Sequence, residues 1–216
     1  MQKRYAVIGL GRFGSSVAKV LHEMGHFVLA IDHDASRVDA LASVFTHIVR
    51  ANTVDPATVK ALRLHEFDAV VVAVGDDVEG SVITCLNCRD VGVKMLVAKA
   101  QDDQHGRVLE RIGVDRVVYP QRDMGERVAH NLSAGGIIDY VRLSEKYGMA
   151  ELEASGFLTG HSLLELDLRN KYGLNVITIK RGKNLIISPE PGEIITAGDI
   201  LVVIGDAEGV NLLQSQ

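Results

Sequence analysis

Over the first 120 residues, short apolar runs alternate with longer segments in which apolar residues recur every three or four positions. The runs rich in β-branched residues predict six strands, over 5–10, 27–31, 47–51, 69–74, 95–98 and 116–119. Helical spacing predicts helices over 15–24, 56–64 and 78–91. This alternation is typical of an α/β fold in which helices cover both faces of a doubly wound parallel sheet. We therefore predict one such domain over residues 1–121.

The pattern changes after Pro120. A helix is predicted over 122–134, where Met124, Val128 and Leu132 recur at every fourth position, and the pair 135–136 is Gly-Gly, which should break it. The apolar residues of 137–143 predict a second helical piece. The region 122–144 is therefore expected to be a crossover helix pair that packs either on another subunit or between two domains of one chain.

The remainder, 145–216, predicts a smaller α+β lobe. Its expected strands are 149–154, 176–180, 185–187 and 200–204, with a helix over 161–172 and Pro- and Gly-rich turns between them. Roughly 70 residues bury only a modest core and leave little room for a catalytic domain. We expect a sensing or docking lobe.

Composition narrows the function classes. The chain has 216 residues, 47% hydrophobic and 24% charged, with a formal net charge of −5. A nucleic-acid surface needs clustered Lys and Arg, so no nucleic-acid partner is expected. The sequence has no apolar run of ~20 residues and no leader-like segment, so we expect a cytoplasmic protein.

A G-x-G-x-x-G run, formed by Gly9, Gly11 and Gly14, follows the first predicted strand. In a Rossmann-like domain these glycines allow a tight turn, a close approach to phosphates and close packing of the next helix. Asp32, at the end of the second strand, stands where an acid accepts hydrogen bonds from ribose hydroxyls and disfavours a 2′-phosphate. Arg12 adds a charge where the outermost phosphate of a mononucleotide would lie. The site therefore suits ATP or ADP as well as NAD.

Ligands of doubly wound sheets bind beyond the carboxyl ends of the strands. Further candidate residues at these ends are Asn52, Thr53, Gly75, Asp76, Lys99 and Gln121. Lys99 is either a second cation for phosphates or a solvated lysine.

No catalytic residues are predicted. Cys85 and Cys88 form a C-x-x-C inside a helical stretch, where small packing residues are the simpler interpretation than a redox or zinc site. The main alternative function is an NAD-dependent oxidoreductase or an NADH redox sensor, but no positioned acid marks hydride transfer. A nucleotide sensor that controls some other partner is a third interpretation.

Several segments together are more specific than the glycine motif. They are 6–14 (AVIGLGRFG), 97–101 (VAKAQ), 108–113 (VLERIG), 120–125 (PQRDMG) and 166–173 (LDLRNKYG). With them, nearly the whole chain resembles the regulator of potassium conductance (RCK) subunits of the KtrA/KtrC type, which belong to bacterial Ktr potassium uptake systems.

The resemblance implies an octameric ring, built from dimers, beneath a membrane potassium channel subunit of the KtrB type, with ATP favouring activation and ADP the inactive ring. The crossover would make the dimer contact. By this resemblance Arg12 would bind the γ-phosphate and Asp32 the ribose. The remaining roles would be phosphate binding by Gly9, Gly11, Phe13, Gly14 and Lys99, and adenine contact by Asn52 and Thr53.

Two further expectations come from the resemblance. The C-terminal lobe is similar to modules that bind cyclic di-AMP between two subunits, with Arg169, Asn175 and Pro191 as candidate contacts; an ordinary helix-face arginine and two turn-shaping residues are the alternative. This family often has a glutamate after the proline that ends the sixth strand, where it helps a cation such as Mg²⁺ to bridge to ATP. Here the residue is Gln121, and an amide is a weaker ligand for a hard cation than a carboxylate is. The sequence therefore does not decide whether a divalent cation binds together with ATP.

Overall fold

A computed structural model describes residues 1–133, 137–144, 146–154 and 156–214. The chain divides into two compact units, Met1–Gln121 and Arg122–Gln216. Each unit has its own sheet and its own buried core. Among the described residues, no helix is both long enough and apolar enough to cross a bilayer.

The sheet of the first unit has six parallel strands in the order β3-β2-β1-β4-β5-β6. The strands are β1 Arg4–Ile8, β2 Phe27–Asp32, β3 His47–Arg50, β4 Ala69–Val72, β5 Leu96–Lys99 and β6 Arg116–Val118. Every residue of β4 is buried, as expected for a central strand covered on both faces. The strand order reverses between β1 and β4, which opens a crevice at their carboxyl ends. The predicted Rossmann-like sheet is confirmed.

Five α-helices connect these strands, together with a single 3₁₀ turn, Leu64–Glu66. They are α1 Arg12–Glu23, α2 Ala35–Leu41, α3 Pro56–Ala61, α4 Val78–Asp90 and α5 Asp103–Arg111. Neither α2 nor α5 was predicted from the sequence. Aspartate side chains cap the last four: Asp34, Asp55, Asp77 and Asp102. By contrast, Gly11, the residue that precedes α1, provides no side-chain cap, so the first N–H groups of α1 are available to a ligand.

The second unit is built on a five-stranded antiparallel sheet in the order β10-β9-β11-β8-β7. Its elements are α6 Pro120–Ser133, which begins just before the unit boundary, β7 Ile137–Arg142, β8 Tyr147–Glu153, α7 Leu163–Leu166, α8 Leu168–Tyr172, β9 Leu174–Arg181, β10 Asn184–Ile187, β11 Ile200–Asp206 and α9 Ala207–Gln214. A 3₁₀ turn, Gly156–Leu158, follows β8. The predicted α+β lobe is confirmed, although α9 was not predicted.

Within 122–144, the prediction that the second piece of the crossover helix pair is helical is wrong. This segment is strand β7, which pairs with β8. Its β-branched residues Ile137, Ile138 and Val141 favour a strand, and an unpaired edge of β8 is available to them. The predicted break at Gly135 and Gly136 lies outside the described residues. The first piece is helical, as α6.

The helix predicted over 161–172 is two short helices, α7 and α8. Asp167 separates them with a left-handed backbone (φ 47°), a conformation that aspartate tolerates better than most residues. Ser162 and Glu165 form a capping box that fixes the start of α7.

Candidate functional site

The glycine turn between β1 and α1 requires glycine at two positions. Gly9 has a φ of +90°, its N–H donates to the carbonyl of Ile31 over 2.8 Å, and a Cβ there would lie 3.0 Å from the backbone of Ala73 and Val74. Gly14 is buried, and a Cβ on it would overlap the carbonyl oxygen of Gly9 and lie 2.9 Å from Cβ of Ala73. Gly14 thus brings α1 close to the sheet, behind the surface that a ligand would touch.

Gly11 differs from the other two glycines because a Cβ there would meet no atom within 4 Å. It lines a cavity of about 200 Å³ at the N-terminus of α1. The missing side chain at Gly11 therefore keeps the space in front of α1 open, and the packing of the fold does not require it. An uncapped helix N-terminus facing such a space is a binding site for an anion.

Asp32 joins this turn to β2. It is 2% exposed, its Oδ2 accepts from the N–H of Leu10 over 2.6 Å, and its Oδ1 accepts from the N–H of Asp34 over 2.9 Å. Arg37 lies at 3.5 Å from Oδ2. Each carboxylate oxygen can accept more than one hydrogen bond, so ribose hydroxyls can still bind on the side of Asp32 that lines the crevice.

The 200 Å³ cavity gathers most of the predicted phosphate-binding residues. Its lining includes Gly9, Gly11, Arg12, Phe13, Asp32, Gly75, Asp76, Lys99 and Gln121. Neither Arg12 nor Lys99 forms an ion pair with any residue that the structure describes. The cavity thus has two cations that form no ion pair with the described residues, although the carboxylates of Asp32, Asp76 and Asp77 line it too. Arg37 and Asp77 also line this cavity and were not predicted from the sequence.

A second cavity, of about 460 Å³, shares Gly9 and Asp32 with the first and extends beyond β2 and β3. Asn52 and Thr53 line it, as predicted. Asn52 is exposed, whereas Thr53 is buried in its floor with a hydroxyl 3.0 Å from that of Thr84. Asn87, on α4, donates to the carbonyls of Thr53 and Val54, both over 3.0 Å.

Thr84 and Asn87 were missed because only the fold brings α4 beneath the loop that follows β3. Their positions within a helical stretch gave no local signal, since buried polar residues are identified by their partners.

The C-terminal unit has a cavity of about 510 Å³ between α7, α8 and the turn after β10. Arg169, Asn175 and Pro191 all line it, together with Leu164 and Asp167. The structure therefore brings the three predicted residues of the second site to one concave surface.

Among the described residues, no three His, Cys, Asp or Glu side chains come together as metal ligands. Cys85 and Cys88 are fully buried on α4, and this burial raises the pKa of each thiol to about 12. The two cysteines pack as small apolar side chains. This is the interpretation that their position in a helical stretch favoured.

Comparison with known families covers both units. The model of the TrkA-N domain matches residues 5–120, and that of the TrkA-C domain matches residues 151–216.

Individual relatives agree with these matches. The Ktr system potassium uptake protein C of Bacillus subtilis (strain 168) is 43% identical over 216 residues, covering 100% of this chain and 98% of the relative. The Ktr system potassium uptake protein A of the same organism is 38% identical, covering 99% and 96%. Among solved structures, the GsuK channel bound to NAD matches with a TM-score of 0.69 at 18% identity, covering 97% of this chain and 38% of that one.

Proposed function

Because the chain belongs to the KtrA/KtrC-type family of RCK subunits, we propose that it is the cytosolic subunit that gates a Ktr-type potassium channel in response to ATP and ADP. Its relatives are potassium uptake proteins over their whole length, which supports regulation over the oxidoreductase alternative. The proposed location is the inner face of the membrane, through a KtrB-like channel partner.

The observation that carries the nucleotide proposal is the uncapped start of α1. Asp side chains cap α2 to α5, whereas Gly11 leaves the N–H groups of α1 facing a cavity that also holds Arg12 and Lys99. Helix dipole, free N–H groups and two unpaired cations all favour a phosphate chain there. The larger cavity, beyond Asp32, has room for adenosine against Asn52 and Thr53.

The proposed switch between the active and the inactive ring depends on the γ-phosphate of ATP. A ligand shifts an equilibrium between two states only by the difference in its affinity for them. ATP and ADP share adenosine and two phosphates, so the γ-phosphate at Arg12 is the contact that ADP lacks. This contact would favour the active ring.

Assembly is proposed through α6. Met124, Val128 and Leu132 lie one turn apart and are 54%, 47% and 82% exposed, an apolar stripe suited to a dimer contact. Dimers would build the octameric ring. Replacing Val128 with Asp should reduce the mass measured by light scattering, and an unchanged mass would exclude α6 as the contact.

Two further ligands belong to this proposal. Gln121 lines the phosphate cavity, where its amide would bind Mg²⁺ more weakly than a carboxylate, so ATP binding should depend little on a divalent cation. The 510 Å³ cavity of the C-terminal unit is the proposed cyclic di-AMP site, supported by the convergence of Arg169, Asn175 and Pro191. Binding that persists in a variant with Arg169 and Asn175 both replaced by Ala would exclude this cavity.

Potassium flux is the direct test of the gating function. The chain would be added to vesicles that contain the membrane subunit of its own Ktr system, with either ATP or ADP present. We expect faster flux with ATP. Equal flux with both nucleotides would exclude ATP-dependent gating, and nucleotide binding without association with the membrane subunit would favour a sensor for another partner.

A further inference from the structure

Asn87 is a buried amide on the face of α4 that meets the 460 Å³ cavity. Gly80 and Thr84, one turn apart, line this cavity, and Asn87 follows Thr84 by three positions, so the three residues lie on one side of the helix. Asn87 is only 6% exposed. A buried amide without hydrogen-bond partners would destabilise the fold, so the partners of Asn87 indicate its role.

The partners of its two amide N–H groups belong to the loop after β3. Nδ2 of Asn87 donates to the carbonyls of Thr53 and Val54, both over 3.0 Å. Thr84, which is 1% exposed, adds a third contact, because its hydroxyl lies 3.0 Å from that of Thr53. One face of α4 therefore holds this loop at three points, across 31 to 34 positions of sequence.

The same loop carries Asn52, which lines the cavity. Oδ1 of Asn52 accepts from the N–H of Val54 over 3.2 Å, so the orientation of this side chain depends on the position of Val54. Nδ2 of Asn52 donates to none of the residues that the structure describes. An amide fixed in this way offers N–H donors to a ligand, and a purine base has ring nitrogens that accept them.

We propose that Asn87 and Thr84 are positioning residues for the base of the nucleotide. They hold the loop after β3, within which Val54 orients Asn52, and Asn52 donates to a ring nitrogen of the base. The inference rests on the proposed nucleotide site and adds the residues that set the affinity for the base. A loop that is held in place before the ligand arrives loses less conformational entropy on binding.

Two probes separate the base from the phosphates. ATP would occupy both cavities of the crevice, whereas inorganic tripolyphosphate has the same phosphate chain without adenosine and would occupy only the cavity at α1. ATP binding would be measured by calorimetric titration, and tripolyphosphate binding by its displacement of ATP. The loop should matter for the first probe alone.

Three variants would be compared with the wild type, after thermal unfolding has shown which of them are folded. Asn87→Leu keeps a similar volume and removes both N–H donors, and Thr84→Val keeps the shape and removes the hydroxyl. Cys88→Ala is the matched control. Cys88 is fully buried next to Asn87, but its side chain belongs to the apolar core, so this variant alters α4 without removing a hydrogen bond to the loop.

We expect Asn87→Leu to bind ATP about tenfold more weakly and Thr84→Val about threefold more weakly, since the loop loses two hydrogen bonds in the first and one in the second. Tripolyphosphate should bind both variants as it binds the wild type, and Cys88→Ala should bind both probes normally. Equal losses for ATP and tripolyphosphate in Asn87→Leu, or an undiminished ATP affinity, would overturn the inference. If Asn87→Leu does not fold, the nearly isosteric Thr84→Val is judged by the same two outcomes.

The outcome for the wild type is separate. A wild type from which tripolyphosphate does not displace ATP at millimolar concentrations, or which binds NADH more tightly than ATP, would overturn the proposed nucleotide site and the inference with it. A wild type that binds ATP and tripolyphosphate as proposed, with unchanged ATP binding in the folded variants, would overturn only the positioning role of Asn87 and Thr84.

Discussion

The buried carboxylate of Asp32 accepts a hydrogen bond from the N–H of Leu10 over 2.6 Å. Leu10 lies inside the glycine turn, between Gly9 and Gly11, so this bond ties the end of β2 to the loop that faces the phosphates. A ribose bound at Asp32 and a phosphate bound at the turn would therefore be held by one connected unit. This preorganisation reduces the cost of ordering the loop when a nucleotide binds.

Two glycines of the motif should respond differently to alanine. Gly11→Ala adds a methyl group that meets no protein atom, so it should leave the free energy of unfolding unchanged and weaken ATP binding at least about tenfold. Gly14→Ala forces a methyl group against the carbonyl of Gly9, so it should lower the free energy of unfolding by about 2 kcal/mol.

Urea denaturation and calorimetric titration of both variants check this pair. A destabilised Gly11→Ala protein with normal ATP affinity would show that Gly11 serves packing and not the ligand.

Arg12 should determine the difference between ATP and ADP. In Arg12→Ala, the ratio of the two dissociation constants should approach one, while ADP affinity changes little, because only the γ-phosphate loses its partner. Arg50→Ala is the control: Arg50 lines the adenosine cavity and donates to the carbonyl of His33, so its loss should change both affinities alike. An undiminished ATP preference in Arg12→Ala would remove Arg12 from the switch.

His105 should make stability depend on pH. It is 3% exposed, its Nδ1 accepts from the N–H of Gln101 over 3.3 Å, and its Nε2 has no hydrogen-bond partner among the residues that the structure describes. Burial lowers the pKa of His105 below its usual value, although Asp102 opposes this shift. The unfolded chain therefore binds the proton more readily, and this part of the stability is present above pH ~6.5 and lost as the pH falls below it.

Urea unfolding between about pH 5 and pH 8 measures this effect. In His105→Asn, which keeps an acceptor near Gln101, the free energy of unfolding should fall less steeply below pH ~6.5. The same slope in both proteins would assign the pH dependence to other groups.

Asp199 should be important for the stability of the C-terminal unit. It is 1% exposed and accepts from Nη2 of Arg181 over 2.8 Å and from the N–H of Thr196 over 2.9 Å. Hydrogen bonds from Arg181 lower the pKa of this carboxyl. Asp199→Asn should lower the free energy of unfolding by about 2 kcal/mol, since the amide satisfies these donors less well.

Glu193→Gln is the matched control. Glu193 contacts the same guanidinium at 3.0 Å but is more exposed, so its replacement should cost less than about 1 kcal/mol. Equal losses of unfolding free energy in the two variants would contradict the expectation that the buried carboxylate of Asp199 contributes more than the more exposed one of Glu193.

The sequence predicted the first sheet well because its buried strands are apolar runs separated by helical segments. It predicted β7 wrongly because a short apolar segment such as IIDYV fits either period, and its pairing with β8 is a tertiary contact. The helix over 161–172 appeared continuous because an interruption by one left-handed residue, Asp167, leaves little trace in a hydrophobic pattern.

In the candidate site, too, contacts that depend on the tertiary fold could not be predicted from the sequence. Gly9, Gly11 and Asp32 were predictable because their spacing is a property of the β1-α1-β2 unit. The closeness of Lys99 to Gly75 depends on the pairing of β4 with β5, and that of Asn87 to Thr53 depends on the packing of α4 beneath the loop after β3. Neither distance is encoded in local sequence.

Calorimetric titration of the nucleotide-free protein with ATP, ADP and NADH, at one salt and magnesium concentration, tests the central claim most directly. We expect ATP and ADP to bind in the low micromolar range or tighter, about −8 kcal/mol or better, and NADH to bind much more weakly. NADH binding more tightly than ATP would contradict it and would indicate a redox sensor or a dehydrogenase.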